Sequence, residues 1–530
     1  MRKITPLFFS GKRTILLSLS FVTLTIAAGF VIISANEQLA ELLNNHIMSQ
    51  NSSGFLRELA IVVSLFIIVF SVRLLNEFIF QTVQWKGSER LKEFFADKLL
   101  KVDSKYYYDK QAPQIWSAVN MSSQGVASFY SSILQVTAAC IMVLFYGFVV
   151  FYIDFYAGLI TIATTPVYLL LTRFVGRNFE KIQRDLMPQQ QELALNAQEM
   201  ISNSSNVRAK NAHRFFVERI MKPQKLITRG MRKTNVMYSY LTSVTSMLGI
   251  ITPLIILYIT IQVSRELTLD VGNILILYIN IPLFLSNFTT IYSQVIHYRA
   301  NKPALKILTD IYDFPDENSG EIIMSSFESI QTKGVSVNFQ EARIINVPDM
   351  MITKGEKVMF LGETGVGKST LFNILLGFNQ EYSGVVLVNG VDIRSYDVSS
   401  LRKYIGISFQ SQNVVTLSLR DNILLGDESI GIDLDKVLEI SHLNDVATAR
   451  GEDLLNYQTI SGGEKSRIGL AQMLVRNPDV FLIDETFSNV DEDTEMMIIE
   501  KLLALFSHKT FVCISHRMAS AKYFDRVVEF

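Results

Sequence analysis

Val358-Met359-Phe360-Leu361-Gly362-Glu363-Thr364-Gly365-Val366-Gly367-Lys368-Ser369-Thr370 decides how the second half of this chain folds. The apolar run Val358–Leu361 reads as a buried strand, and Leu371 to Leu376 reads as the start of a helix. Between them the glycines let backbone N–H groups curl around phosphate oxygens, and a helix N-terminus sets partial positive charge against them. Gly362, Glu363, Thr364, Gly365, Val366, Gly367, Lys368, Ser369 and Thr370 are therefore read as a phosphate-binding loop. The Lys368 ammonium suits the terminal phosphates of a nucleotide, and the Ser369 hydroxyl suits Mg2+.

Working outward, the chain has 530 residues, of which 49% are hydrophobic, and a mean hydropathy of +0.26. That length allows two to four domains, and that apolarity exceeds an ordinary soluble protein, which predicts a membrane part. A formal net charge of -1, from 49 basic and 50 acidic residues, leaves no global field to recruit nucleic acid. The two cysteines, Cys140 and Cys513, give neither a disulfide framework nor metal-ligand spacing.

Six apolar stretches precede the loop: Thr14–Ser34, Leu59–Asn76, Phe129–Ile153, Phe155–Thr172, Val236–Val263 and Val271–Ile296. Each is long enough to cross about 30 Å of hydrocarbon as a helix. The first has no small-residue cleavage site after a short core, so it reads as a retained helix. Basic residues gather before the first stretch and after the second and fourth, among them Lys12, Arg13, Lys86, Arg90, Arg173 and Arg177. This asymmetry predicts cytoplasmic termini and a multi-pass protein of the cell membrane. The two connections on that side are long and rich in helix formers, so the helices are expected to run on past the bilayer. Each has a polar and aromatic interruption, near Tyr106–Asp109 and near Asn206–Phe216, read either as a solvated turn or as a segment that docks on another domain. Arg73 and Glu77 sit at helical spacing and read as interfacial, with Arg73 snorkelling; a functional charge at membrane depth is the alternative.

Hydropathy falls from about Pro303, and Asp316-Glu317-Asn318-Ser319-Gly320 marks a linker. The expected organisation is a transmembrane domain over 1–310, a linker over 311–328 and an ATP-binding domain over 329–530. In the last part, strand and helix patterns alternate, as in an α/β fold. Val480–Ile483 reads as a strand ending in Asp484-Glu485, where an open parallel sheet binds its ligand. Asp484 suits holding Mg2+, and Glu485 suits positioning and polarising an attacking water. His516 follows another strand-like run, Thr510–Ile514.

Together these residues resemble the nucleotide-binding domain of ABC transporters, and the whole chain resembles a half-transporter of the exporter type. The most specific motif is Ile460-Ser461-Gly462-Gly463-Glu464, similar to the family's L-S-G-G-Q signature. Gln410 matches the Q-loop glutamine, Ser488–Asp491 the D-loop and His516 the switch histidine. The resemblance implies a six-span helical domain fused to an α/β nucleotide-binding domain that hydrolyses ATP with Mg2+. By the same resemblance Glu485, His516 and Gln410 form the catalytic set, and Ser369, Gln410 and Asp484 hold the metal. Phe339 then stacks on adenine in place of the family's usual tyrosine, and Ser461, Gly462 and Gly463 complete the partner's nucleotide site. Two chains are implied, a homodimer in preference to a heterodimer, because this chain carries both halves of the site.

Three departures stand out. Glu464 replaces glutamine, which brings a carboxylate near a triphosphate site; Gly451–Thr459 lacks the family's E-R-G pattern; and the chain stops at Phe530, without the usual final strands and helix. No N-terminal protease domain of the kind some peptide exporters carry is present in the sequence. The expected function is ATP-driven export of an amphipathic substrate, such as a bacteriocin-like or modified peptide, by alternating access among membrane lipids. The alternatives are a lipid or multidrug exporter, and a membrane-bound ATP-dependent regulator or sensor that moves no substrate.

Overall fold

The computed structural model describes residues 4–9, 11–49, 55–107, 112–263, 271–339, 343–410, 414–427, 433–450, 453–455, 460–487, 492–515 and 517–530. Cα packing divides the chain into two units, one of Met1–Val102 with Tyr106–Phe314, the other of Asp103–Lys105 with Pro315–Phe530.

The first unit is helical: α1 Thr5–Phe8, α2 Lys12–Ser49, α3 Phe55–Lys101, α4 Ala112–Ile153, α5 Phe155–Ser202, α6 Ser204–Ala209, α7 His213–Val263 and α8 Val271–Asp313. Six of these are long, and each contains or overlaps one of the apolar stretches read in the sequence. Among the described residues five are long and apolar enough to cross a membrane, and α5 contributes a shorter apolar stretch, Phe155–Val167. The most apolar window of α3 is only 6% buried. In water such a face would not stay open, since each exposed apolar side chain forgoes about 1.5–3 kcal/mol of burial; in lipid it faces its own kind. Helix ends run well past the bilayer, as 47 residues of α3 would span roughly 70 Å. Near one end the unit is tied by a core of Phe8, Leu91, Phe95, Phe129 and Leu308. Within it Phe8 stacks on Tyr130 with ring centroids 4.9 Å apart.

In the second unit β1 Ser329–Phe339 pairs antiparallel with β2 Arg343–Asn346, β3 Met350–Thr353 and β5 Ser383–Val388; β6 Val391–Asp392 extends β5. A second sheet is wholly parallel, in the order β10 (Arg526–Glu529), β4 (Lys357–Leu361), β9 (Thr510–Ile514), β8 (Val480–Asp484), β7 (Ile405–Ser408). Helices α9 Lys368–Leu375, α10 Val398–Tyr404, α11 Leu419–Leu424, α12 Leu434–Ile440, α13 Asn444–Arg450, α14 Gly462–Val475 and α15 Glu492–Leu505 complete it. All five residues of β8 and of β9 are buried. That is why these strands read as unbroken apolar runs, as expected for a parallel sheet covered on both faces.

Residues 311–328, expected as a linker, are ordered by packing. Ile311–Asp313 finish α8, and Met324 and Phe327 are buried in the second unit's core beside Phe360 and Phe372. The sequence also ends differently from the expectation of missing final strands. Arg526–Glu529 forms β10, parallel to β4, and Phe530 packs on Phe360 at 4.8 Å. Of the first interruption, Asp103–Lys105 belong to the second unit, where Ser104 Oγ donates to the Phe378 carbonyl at 2.7 Å. The second interruption includes the short helix α6, followed by the exposed Phe215.

Candidate functional site

The phosphate loop leaves β4 and enters α9 through backbone that only glycine adopts without strain. Gly367, the N-cap of α9, has φ 118°, and a Cβ there would lie 2.2 Å from Ile345 Cγ2. Gly362 has φ 145°, and a Cβ there would press on the Phe530 carbonyl at 3.0 Å. Lys368 opens α9 and is 4% exposed, its Nζ donating to the Gly362 and Glu363 carbonyls at 2.7 and 2.9 Å. Burial pulls this ammonium's pKa down, and the nearby Glu485 and Asp484 carboxylates pull it partly back. Glu363, Thr364 and Gly365 are exposed at the rim, Val366 is half-buried, and Thr370 follows in the first turn of α9.

Ser369 Oγ donates to Asp484 Oδ1 at 3.0 Å, joining the start of α9 to the end of β8. Asp484 is 7% exposed. Its pKa is raised, chiefly by burial and further by Glu485, against the lowering effects of the Ser369 hydroxyl and of Lys368. Beyond it the strand breaks. Glu485 has φ 46°, a left-handed conformation that costs a non-glycine residue about 1–3 kcal/mol. Its N–H is tied to the Ile514 carbonyl at 3.1 Å. The carboxylate accepts from Gln410 Nε2 at 2.5 Å, and Thr486 Oγ1 donates to the Ser408 carbonyl at 3.0 Å, which pins the residues after β8 to the end of β7 and the segment beyond it. The Ser369 hydroxyl and the Asp484 carboxylate, hydrogen-bonded to each other, are hard oxygen donors of the kind Mg2+ takes, while the Gln410 amide is tied to the neighbouring Glu485.

On α14 the signature has its own chemistry. Ser461 is the N-cap, and Glu464 is the third residue of the helix. Glu464 Oε2 accepts from the Ser461 N–H at 2.7 Å and from its hydroxyl at 2.8 Å, while the Glu464 N–H donates to Ser461 Oγ at 3.2 Å. This is a capping box, so the carboxylate that the sequence brings near a triphosphate site is engaged with its own helix terminus. Burial tends to raise the Glu464 pKa, but the Ser461 hydrogen bonds together with Arg450 and Arg467 hold it below the ordinary carboxylate value. Gly462 and Gly463 form the first turn of the helix.

The structure therefore brings together Lys368, Ser369, Asp484, Glu485 and Gln410 from three separated segments. His516, the side chain of Phe339, and Ser488–Asp491 lie outside the described residues, as does much of Gly451–Thr459.

Sequence reading of single motifs missed a cavity in the helical unit. It measures about 490 Å³ and is lined by hydroxyls and aromatics of α7 and α8, including Tyr238, Thr242, Thr245, Ser246, Tyr278 and Ser293, and none of its described lining residues is Asp, Glu, Lys or Arg. The only signal for it was a scatter of Ser, Thr and Tyr inside apolar spans.

Fold and site define a nucleotide-binding unit of the phosphate-loop class joined to a helical membrane unit. The family profile described as the ABC transporter transmembrane region matches residues 15–287, and the one described as ABC transporter matches residues 345–488. The chain belongs to the ABC transporters, a family of ATP-hydrolysing transporters, and has the organisation of an exporter-type half-transporter in the membrane. It is 28% identical over 281 residues to the lactococcin-A transport/processing ATP-binding protein of Lactococcus lactis, covering 51% of this chain and 38% of that one. The chain thus spans well under half of that relative's length. Similarity to a putative multidrug export ATP-binding/permease protein of Staphylococcus aureus extends over 92% of this chain and 87% of the relative, at 25% identity. The ATP-dependent lipid A-core flippase of a Polaromonas species is 23% identical over 87% of this chain and 81% of its own length. A solved bacterial Atm1-family ABC exporter with ATP bound superposes with a TM-score of 0.83 over 98% of this chain and 93% of its own, at 18% identity. At that identity the likeness is one of fold.

Proposed function

We propose that this chain is an ATP-driven exporter of an amphipathic substrate, a peptide first among the candidates, working as a pair of identical chains. The observation that carries the ATPase reading is the cluster of Lys368, Ser369, Asp484, Glu485 and Gln410 at one end of the parallel sheet. Lys368 and the loop amides bind phosphate oxygens. Glu485 accepts a proton from the attacking water, with Gln410 and His516 orienting the reacting groups. A Mg2+ ion held by Ser369, Gln410 and Asp484 would neutralise charge on the phosphates. Phe339 is assigned to the adenine.

Ser461, Gly462 and Gly463 are assigned to the nucleotide bound by the partner chain, because the N-terminus of α14 is an anion site that the chain's own phosphate loop does not use. One chain carries both halves, so self-pairing gives two complete sites by symmetry. The distribution of basic residues supports an ATP-binding domain and both termini on the cytoplasmic side of the cell membrane. The uncharged, hydroxyl-lined cavity of about 490 Å³ suits a hydrogen-bonding, largely apolar cargo.

A second reading, export of a lipid or a drug-like amphiphile, is favoured by the two relatives that align along most of their own length. Reconstituted chain, presented with a panel of peptides, lipids and drugs, decides between them through stimulated ATPase activity and uptake into inside-out vesicles. Uptake of none of them would leave a regulator without transport. For the pairing, Lys368→Ala and Ser461→Ala chains are expressed separately and together. Each alone is expected to be nearly inactive, whereas the mixture recovers activity through the one dimer site that is intact. Failure to recover, with the wild-type chain monomeric, would exclude the homodimer.

A further inference from the structure

We propose that a second cavity of the helical unit, built around Arg73 and Glu77, is a subsite for the paired charges of a zwitterionic amphiphile. It encloses about 200 Å³ and draws its polar lining from α2, α3, α4 and α8: Thr25, Arg73, Glu77, Gln135, Tyr146 and Asn287. With the exposed Trp85 taken as the interfacial anchor, Arg73 lies deeper than an interfacial reading allows. Phe55 at the start of α3 and the exposed Trp85 are 30 residues apart, roughly the 40–45 Å thickness of a bilayer with its headgroups. Arg73 lies 12 residues from Trp85, about 18 Å, and the exposed Phe66, Phe70 and Phe78 on the same helix mark lipid-facing surface above and below it. A snorkelling side chain does not bridge that distance.

Arg73 and Glu77 stand at the spacing where helical side chains pair, yet no ion pair between them occurs among the described residues. Glu77 accepts from Gln81 Nε2 at 2.9 Å, and Arg73 has no hydrogen-bond or ion-pair partner among the described residues. Asn76, also in the lining, donates to Thr25 Oγ1 at 3.0 Å, while its own Oδ1 is buried without a partner. A cation, an anion and an orphaned acceptor held around one cavity in a membrane unit have unspent binding capacity. The guanidinium offers paired donors to a carboxylate or phosphate, and Glu77, one helical turn or about 6 Å along the axis, accepts an ammonium. Ser286 and Thr290 line both this cavity and the larger hydroxyl-lined one. The two therefore adjoin across these side chains, one with an uncharged lining and the other with the charged groups.

This deepens the exporter reading and rests on it for the route by which the ligand arrives. The full chain in nanodiscs is titrated calorimetrically with two probe scaffolds, an N-terminally acetylated apolar octapeptide bearing one lysine and a free C-terminal carboxylate, and a short-chain phosphatidylethanolamine. Each is compared with forms lacking one charge: the C-terminal amide and acetyl-lysine peptides, and the N-acetylated lipid. On at least one scaffold the zwitterion is expected to bind about tenfold tighter than its blocked forms. Arg73→Gln should abolish the preference for the free peptide carboxylate or, on the lipid, weaken binding of both forms alike; Glu77→Gln should abolish the preference for the free amine. Equal binding of zwitterion and blocked forms by the wild type, no binding of any probe, or discrimination that survives both substitutions would overturn the assignment. Discriminating binding without vesicle uptake would retain the subsite and reject export, so the two failures are separable.

Discussion

The nucleotide site and the membrane cavities are built on opposite principles. Around the phosphate loop, function is held by short contiguous segments whose backbone has to take one shape: Gly367 at φ 118°, Glu485 at φ 46°, Ser461 capping α14. In the helical unit no segment is special in itself. Thr25, Arg73, Gln135, Tyr146 and Asn287 meet because four helices pack side by side. Chemistry on a phosphate needs fixed dipoles and little else, and so leaves a motif. A cavity for an amphiphile needs volume and a few polar atoms, which many combinations of residues supply.

If that contrast is right, single changes in the nucleotide site have large effects that do not depend on cargo. Glu485→Gln should show the largest. The amide keeps the shape but takes no proton, so ATPase activity is expected to fall about 10²–10⁴-fold with ATP still bound. Activity above about a tenth of wild type in a phosphate-release assay would remove Glu485 from the role of base. Lys368→Ala comes next. It deletes the loop's one full positive charge, and the loss of charge-assisted bonds worth about 1.5–3 kcal/mol predicts ATP binding weakened roughly 10–150-fold. Titration with a fluorescent nucleotide measures this, and unchanged affinity would mean the backbone alone carries the phosphates.

The same contrast explains what was legible beforehand. Strands β4, β8 and β9 showed as apolar runs because both faces of the parallel sheet are covered. Lys368, Ser369, Asp484 and Glu485 followed from the ends of those strands. β10 did not, because the four residues Arg526–Glu529 are too short and too charged to stand out from a terminal loop. Asp316–Gly320 showed as polar, and the two units divide just before it at Phe314, but the anchoring of Met324 and Phe327 in the core was not legible from polarity. In the helical unit the six stretches were visible from hydropathy alone. The depth proposed for Arg73 was not, because it rests on taking the exposed Trp85 as the interfacial anchor and on which side of α3 faces the cavity.

Within the nucleotide unit the signature allows a finer comparison, of a residue's identity against its hydrogen bonds. Ser461→Ala removes the N-cap of α14 and should destabilise the helix start by about 1 kcal/mol. Hydrogen exchange at the amides of Gly463 and Glu464 in the full chain reads this as faster opening, about fivefold. Exchange as slow as wild type would show that the helix start is held by packing instead.

Glu464→Gln should have the smallest effect, because the amide oxygen can still accept from the Ser461 N–H and hydroxyl that Glu464 now engages. What it loses is the negative charge beside the helix N-terminus, worth about 0.3–1 kcal/mol at low ionic strength. The pH dependence gives the sign. The Glu464 pKa is lowered in the folded protein by Ser461, Arg450 and Arg467, which outweigh the raising effect of burial. Its stabilisation is therefore full above the ordinary carboxylate value of about 4.3, and is lost as pH falls through the lower folded value. At neutral pH the glutamine variant should exchange the first-turn amides of α14 slightly faster than wild type, and the gap should close in acid. ATP hydrolysis, measured alongside, should change no more than about fivefold, the rate equivalent of 1 kcal/mol. A much larger gain in activity on replacing the carboxylate would mean that Glu464 opposes the partner's triphosphate after all, and that the capping box is secondary to that charge.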